Sequence, residues 1–528
     1  MRFQTGKKMK FFNTYIKLGE QFFQRTLPQQ FDCPTLLLWN KALANNLLIS
    51  QDLQDDPILL SQYFSGNKLL NGSESIALAY SGHQFGHFNP QLGDGRAHLL
   101  GEIFDKDNIR QDLQLKGSGQ TPFSRRGDGK CALAPALREY IMSEALFALG
   151  VPTSRCLSVV ATGEIINRGL AKPGAVVTRV AASHIRVGTF QYFAARGDNT
   201  SLQALVDYSI KRHFPEIDTA ETANHTSLSY EQRILTFLES AITKQITLVV
   251  EWLRIGFIHG VMNTDNTAIC GETLDFGPCA MLGGYDENKV FSSIDEQGRY
   301  AFGNQGEIAR WNMARLADCL MPLLIEDADN KFSKEEQEQQ TLTKVEALIH
   351  QYTDKFDTAY FSMYGKKLGL KNITFNNRSL ISDLLALMQS QNLDYTQTFL
   401  KLTQSLSDDV QAQQLKHKLG DWYEKWLIVL EQEAPEDVDY QQAQNLMKKN
   451  NPVVIPRNHH IEAVLDTCEN IMATDLSSID ESKEGVINTI VDDFLRVLRS
   501  PYQEIEKTHK YQDIPGDSDM YYQTFCGT

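Results

Sequence analysis

Residues His259 to Gly277 read HGVMNTDNTAICGETLDFG, a span that brings together the oxygen-bearing side chains of Asp265, Asn266 and Asp275. A hard cation that bridges phosphate oxygens needs donors of this kind, few in number and leaving positions for water and substrate. Asn266, followed by Asp275 within Asp-Phe-Gly, supplies such a pair. The chemistry to expect is metal-assisted transfer of a phosphorus-centred group.

The spacing is also that of the two metal-holding residues of a protein kinase, the Asn that ends H-R-D-L-x-x-x-N and the Asp of Asp-Phe-Gly. In that alignment His259 takes the His place, Asn266 the Asn place, and Val261 falls where the catalytic Asp belongs. Valine cannot accept a proton, so ordinary γ-phosphoryl transfer to a hydroxyl has lost its base. Asp265 is the nearest replacement.

Elements upstream have to position these groups. In LQLK, Leu113 and Leu115 alternate with Gln114 and Lys116, the pattern of a half-buried strand, which leaves Lys116 on the polar, cleft-facing side. APALREYIMSEALFALG then predicts a helix opened by Pro135, closed by Gly150, and striped with Leu137, Ile141, Ala145 and Leu149. Glu139 lies in its first turns, so Lys116 and Glu139 are expected to meet, as a kinase lysine meets the glutamate of its first helix. Before the strand HLLGEI, Gly93-Asp94-Gly95-Arg96 predicts a hairpin whose backbone N–H groups can approach phosphates, with Arg96 adding a fork of donors. SRRGDGK places Asp128 and Gly129 in a second glycine loop, and CLSVVAT and GAVVTRVA predict two further strands. Arg179 and Arg186 follow in RVAASHIRVG, and a guanidinium fork suits a polyphosphate chain.

From about residue 190 the pattern is helical. LSYEQRILTFLESAITKQITLVVEWLRIG predicts one long amphipathic helix, closed by Gly256, that delivers the chain into the loop at His259. Further helices are expected in EIARWNMARLADCLMPLL, ISDLLALMQSQ, LKHKLGDWYEKWLIVLEQ and IEAVLDTCENIMATDL, with charged links such as EDADNKFSKEEQEQQ between them. Near the start, FFNTYIKLGEQFFQRTLPQQ reads as amphipathic helix mixed with a Pro-containing loop. The expected fold is α/β (α+β), kinase-like and bilobal, with a small sheet-containing N-lobe and a larger helical C-lobe. Its divisions are an N-terminal extension packed on the core (1–75), the N-lobe with the nucleotide loops (76–185), the helical C-lobe with the catalytic loop and metal site (186–495), and a tail (496–528).

Composition narrows the class. The 528 residues are 42% hydrophobic and 22% charged, ordinary for a globular protein, and the net charge of -15 argues against generic nucleic-acid or anionic-membrane binding. The eight Cys include no CxxC or Cys/His cluster, which suits buried thiols in a reducing compartment. No apolar run has the length of a membrane span, and MRFQTGKKMKFF lacks the apolar core of a secretory signal, so a cytoplasmic location is expected.

YSGHQFGHF, LQLKGSGQTPFSR, REYIMSEALFALG, HGVMNTDN and the antepenultimate Cys526 together resemble the selenoprotein O family of protein adenylyltransferases. The resemblance is densest from Tyr80 to Arg315 and again at NPVVIPRNHHIEAVL. It implies a kinase-like pseudokinase fold that holds ATP inverted relative to kinases and transfers AMP. Position by position it implies ATP binding by Gly93, Gly95, Arg96, Lys116, Asp128, Gly129, Arg179, Arg186 and Asp275. Glu139 would partner the lysine and Asp265 would accept the proton, while Asn266 and Asp275 would hold Mg²⁺ or Mn²⁺. The implied partners are ATP, or UTP with transfer of UMP, and proteins modified on Ser, Thr or Tyr, with no nucleic acid or membrane and a monomeric chain. In relatives the last Cys or selenocysteine can pair with a cysteine after the Asp-Phe-Gly. The matching stretch here, NKVFSSIDEQGRY, has none, and Cys279 is the nearby substitute for a redox partner of Cys526.

Two other classes stay open on the residues alone. A phosphotransferase fits the glycine loop, lysine and metal pair but is disfavoured by Val261 and the two arginines. A nucleotide-binding scaffold without chemistry is disfavoured by the intact Asp265, Asn266 and Asp275.

Overall fold

A computed structural model of the chain describes residues 9–220, 227–326, 333–436, 440–473, 481–516 and 521–524. Among these, the N-terminal half builds a nine-stranded sheet. Its main path runs Phe23–Arg25, Ile76–Leu78, Ala97–Phe104, Arg110–Lys116, Ala171–Ala181, Arg155–Asn167 and Thr35–Trp39. Neighbouring strands are antiparallel.

Strand alternation decides what each face carries. Gln114 lies opposite Arg179, and Lys116 opposite Val177, so Gln114, Lys116 and Arg179 share one face. The helix Leu133–Ala148 covers that face and brings Glu139 to it. Leu113, Leu115, Val176 and Val180 point the other way, into a separate apolar cluster with Leu43, Leu47, Leu60 and Phe64. These last residues come from the segment before residue 75, which therefore caps the outer face of the sheet and also lends it Phe23–Arg25 and Thr35–Trp39.

The second half is helical, and the whole is a kinase-like bilobal fold. The helix Tyr230–Ile255 opens with a Ser229–Gln232 capping box and closes at Gly256. It packs with Gln305–Glu326 and Lys334–Lys367, and its C-terminal end feeds the short hairpin of Phe257–Ile258 with Ala280–Met281 that frames the loop at His259.

Local differences from the sequence reading have physical causes. FFNTYIKLGEQFFQ is not α-helical: Gly19 at φ 126° separates two 3₁₀ turns, and Phe11–Phe12 and Phe23–Arg25 join the sheet. KEEQEQQ is not a link but the first turns of the 34-residue helix Lys334–Lys367, which Ser333 and Glu336 cap reciprocally. LKHKLGDWYEKWLIVLEQ breaks at Gly420 into Asp409–Leu419 and Asp421–Glu433. Two residues of the C-terminal segment lie against the body: Tyr511 and Thr524 are buried, and the hydroxyl of Thr524 donates to the carbonyl of Pro278 at 2.7 Å.

Candidate active site

The face that carries Lys116 and the loop at His259 close on an open cleft of about 490 Å³. Gly93, Gly95, Arg96, Asp128, Gly129, Asp265, Asn266 and Asp275 all line it. Lys116, Glu139, Arg179 and Arg186 do not line it; they are buried around its floor.

On that floor Lys116 donates to Glu139 at 2.7 Å and also ion-pairs with Asp275 Oδ1. Arg179 reaches the same two acids, with Nε 2.7 Å from Glu139 Oε1 and Nη2 3.4 Å from Asp275 Oδ1. Two cations thus meet two carboxylates, a balance without which burial would be costly. Burial alone would raise both acids. The Lys116 and Arg179 charges reverse this and hold Asp275 well below the usual carboxylate range, and the same two charges, Arg179 first, lower Glu139.

Asp265 is set differently. Burial pushes its carboxyl up to about 6, against the lowering effect of the Arg186 charge and a 3.1 Å hydrogen bond from Gln84 Nε2 to Oδ2. Its Oδ1 is buried without a hydrogen-bond partner among the described residues. Arg186 donates to the main-chain carbonyl of Asp265 at 3.0 Å and stacks on the Tyr80 ring at 4.4 Å, and its own Nε is buried without a partner among the described residues. Val261, buried, occupies the cleft wall where a kinase would place its base.

The loops are fixed by close approach. A Cβ on Gly93, at φ 87°, would lie 2.3 Å from the Phe123 ring. One on Gly129, at φ 71°, would lie 2.2 Å from the backbone of Gly119. Neither position admits a side chain. Asp128 is held from both oxygens by Arg168, at 2.7 and 2.8 Å, and the main-chain N–H of Lys130 donates to it at 3.0 Å. Over the loop at His259 lies the hairpin of Gly82–Gln84 and His87–Asn89. It is pinned by Tyr300, whose hydroxyl donates to Asn263 Oδ1 at 2.6 Å while the N–H of Phe85 donates to the same oxygen at 3.1 Å.

Gln84, Asn263 and Arg168 were not singled out from the sequence. Gln84 stands inside YSGHQFGHF, but its partner is 181 positions away, and the clamp of Arg168 on Asp128 spans 40. Nothing local signals either contact. Cys526 lies outside the described residues. Cys279 is buried, and burial pushes its thiol up to about 12.

Asp265, Asn266 and Asp275 offer oxygen donors only, which fits a hard divalent cation. Asp275 takes both its cationic partners on Oδ1, and Asn266 uses its Nδ2 on the Val261 carbonyl at 3.1 Å, so the oxygen of each that faces no such bond is a suitable ligand. No helix of the described residues is long and apolar enough to cross a membrane.

A family model described as Protein adenylyltransferase SelO matches residues 6–484. Protein nucleotidyltransferase YdiU of Teredinibacter turnerae is 48% identical over 524 residues, 98% of this chain and 100% of the relative. The proteins of that name from Pseudoalteromonas translucida (45% over 514 residues, 97% and 99%) and Shouchella clausii (42% over 521 residues, 99% and 99%) are similar along their whole length too. The chain belongs to the SelO family and is a nucleotidyltransferase.

Proposed function

We propose that the protein transfers AMP from ATP to Ser, Thr or Tyr hydroxyls of other proteins, releasing pyrophosphate, with the nucleotide inverted relative to a kinase. The observation that carries this is the state of Asp265: a buried carboxylate with one unpartnered oxygen, in the cleft, beside a valine at the usual position of the base. With its carboxyl at about 6, Asp265 is largely ionised at neutral pH and still basic enough to take a proton.

The reaction needs few protein steps. The acceptor hydroxyl oxygen attacks the α-phosphorus, its proton passes to the Asp265 carboxylate, and the bond to pyrophosphate breaks. Gln84 orients the carboxylate and Arg186 fixes the loop through the Asp265 carbonyl. Arg96, Arg125, Arg126, Lys130 and Arg168 line the cleft of a chain whose net charge is -15, and this local reversal of sign favours a polyphosphate. The inverted reading assigns the β- and γ-phosphates to Lys116, Arg179 and Arg186, and the phosphate loops to Gly93, Gly95, Arg96, Asp128 and Gly129. Asn266 and Asp275 are the residues that would hold Mg²⁺ or Mn²⁺, which supplies charge neutralisation at the phosphate oxygens when bound.

The test is the position of a label. Incubation of the protein with ATP labelled at the α- or the γ-phosphate, with intact-mass analysis of the products, should give α-label on protein and an added AMP mass. Label from the γ-position alone means phosphotransfer and ends the proposal. A parallel arm with UTP decides between AMP and UMP, since the family description specifies adenylyl transfer whereas the relatives' names specify only nucleotidyl transfer.

A further inference from the structure

Outside the cleft, His459, His460 and Asp513 bring three metal-ligating side chains together, with one ligand atom of each lying within 4.8 Å of the others. None of the three lines the active-site cleft. The two imidazoles stand on the first turn of the helix Asn458–Ala473, and the carboxylate comes from the segment that follows Tyr511. His460 Nε2 is 2.5 Å from Asp513 Oδ1, and His459 Nε2 is 3.3 Å from Asp513 Oδ2.

The ligands are held from outside. The His460 ring packs 4.1 Å from that of His459, 5.0 Å from Tyr511 and 6.4 Å from Phe494, while Tyr511 packs 4.9 Å from Phe494. Immediately before Asp513, Gln512 is tied on both sides: its Nε2 donates to the Val453 carbonyl at 3.0 Å, and its own carbonyl accepts from Gln397 Nε2 at 3.1 Å. Arg457, two positions before His459, is spent on Asp394 at 2.8 Å, so its charge is compensated. His459 Nδ1 is buried with no hydrogen-bond partner among the described residues.

We infer that His459, His460 and Asp513 form a site for a divalent transition cation of the Zn²⁺ type, which clips the C-terminal segment to the helical lobe. Imidazole nitrogens select such ions over Mg²⁺, and two imidazoles with one carboxylate are a common three-ligand set that leaves a position for water. Bonds of about 2.0–2.1 Å in a tetrahedron set ligand atoms roughly 3.3 Å apart. The His459 Nε2–Asp513 Oδ2 separation already has that value, His460 Nε2 has to move from Asp513 Oδ1 by less than an ångström, and the ligand atoms of the three residues, the two imidazoles included, lie within 4.8 Å of one another. Asp513, with its side chain 57% exposed, is free to make that move. The same helix carries Glu462, which ion-pairs with Arg138 next to Glu139, so the clip bears on the element that supports Lys116.

Titration of the full-length protein with Co²⁺ in excess Mg²⁺, followed by its visible absorption, tests the site. One saturable Co²⁺ per chain is expected, displaced by Zn²⁺, with affinity reduced at least about tenfold in His460→Gln and in Asp513→Asn. Asn266→Ala should leave this uptake unchanged, which separates it from the nucleotide cleft. If His460→Gln fails to fold, Asp513→Asn decides, because its side chain is exposed. No saturable uptake, or uptake equal in Asp513→Asn and the parent, makes the cluster an ion pair only and overturns the inference.

Discussion

Gln84 donates its amide to Oδ2 of Asp265 across 3.1 Å, and no side-chain donor of the described residues reaches Oδ1. The carboxyl therefore sits near 6, raised by burial and restrained by Arg186 and Gln84. A base must be ionised, so kcat/KM should rise with pH through a limb near 6. Gln84→Leu removes a stabiliser of the charged form. A net hydrogen bond of 0.5–1.5 kcal/mol corresponds to about half to one pH unit, so the limb should move upward by that amount. A pH profile of kcat/KM for both proteins checks this; an unmoved limb would detach Gln84 from the titrating group.

Asp265 also makes a prediction about stability. Its folded value, about 6, lies above that of an unfolded aspartate, so the native state binds the extra proton and stability from this group is lost as pH rises from about 4 to 6. Asp265→Asn never ionises. It should be more stable than the parent at pH 7.5 by on the order of 2–3 kcal/mol, with the gap closing at pH 4, while transfer falls by about 10²–10⁴. Urea melts at the two pH values, with transfer assays alongside, measure both. A variant less stable than the parent at pH 7.5 would refute the buried-carboxylate account.

Lys116, Arg179, Glu139 and Asp275 form one charge-balanced unit, and residues that act as a unit are not additive. Lys116→Met and Glu139→Gln should each lower kcat/KM strongly, whereas the double variant should lose little more than the worse single one. The expected coupling is about 1–3 kcal/mol, read from the four rates of the cycle. Independent, multiplying losses would show that Lys116 acts without Glu139.

Short-range pattern made much of this visible in the sequence. The alternation of LQLK put Lys116 on the same face as Gln114, and the apolar stripe from Leu137 to Leu149 put Glu139 on a helix, so their meeting at 2.7 Å follows from two local periodicities. The loop from His259 to Asp275 was legible because its chemistry is compressed into one stretch. What stayed hidden is long-range. The segment that carries Leu43, Leu47, Leu60 and Phe64 caps the outer face of the sheet because Leu113, Leu115, Val176 and Val180 need a cover, and nothing local to that segment states the partner. The clamps of Gln84 and Arg168 likewise depend on which loops the fold brings together.

Arg179 and Arg186 separate the inverted nucleotide from the kinase orientation. Arg179 is fully engaged, with Glu139 and Asp275 as described and Gln114 at 3.4 Å. Arg186 keeps a buried Nε with no partner among the described residues and rests on Tyr80, which lines the cleft. If both read the distal phosphates, Arg186→Ala and Arg179→Ala should weaken ATP more than AMP, which lacks those groups. A charge-assisted contact of about 1.5–3 kcal/mol corresponds to a roughly ten- to hundredfold preferential loss. Arg179→Ala should in addition lower stability, because it leaves two acids facing Lys116 alone, whereas Arg186→Lys should recover only part of the ATP affinity, lacking the planar fork. Calorimetric titration with ATP, ADP and AMP, together with thermal melts, distinguishes these effects. Equal losses for ATP and AMP in Arg186→Ala would mean that Arg186 holds the Asp265 loop and nothing more, and equal losses in Arg179→Ala as well would leave Lys116 as the one cation assigned to the distal phosphates.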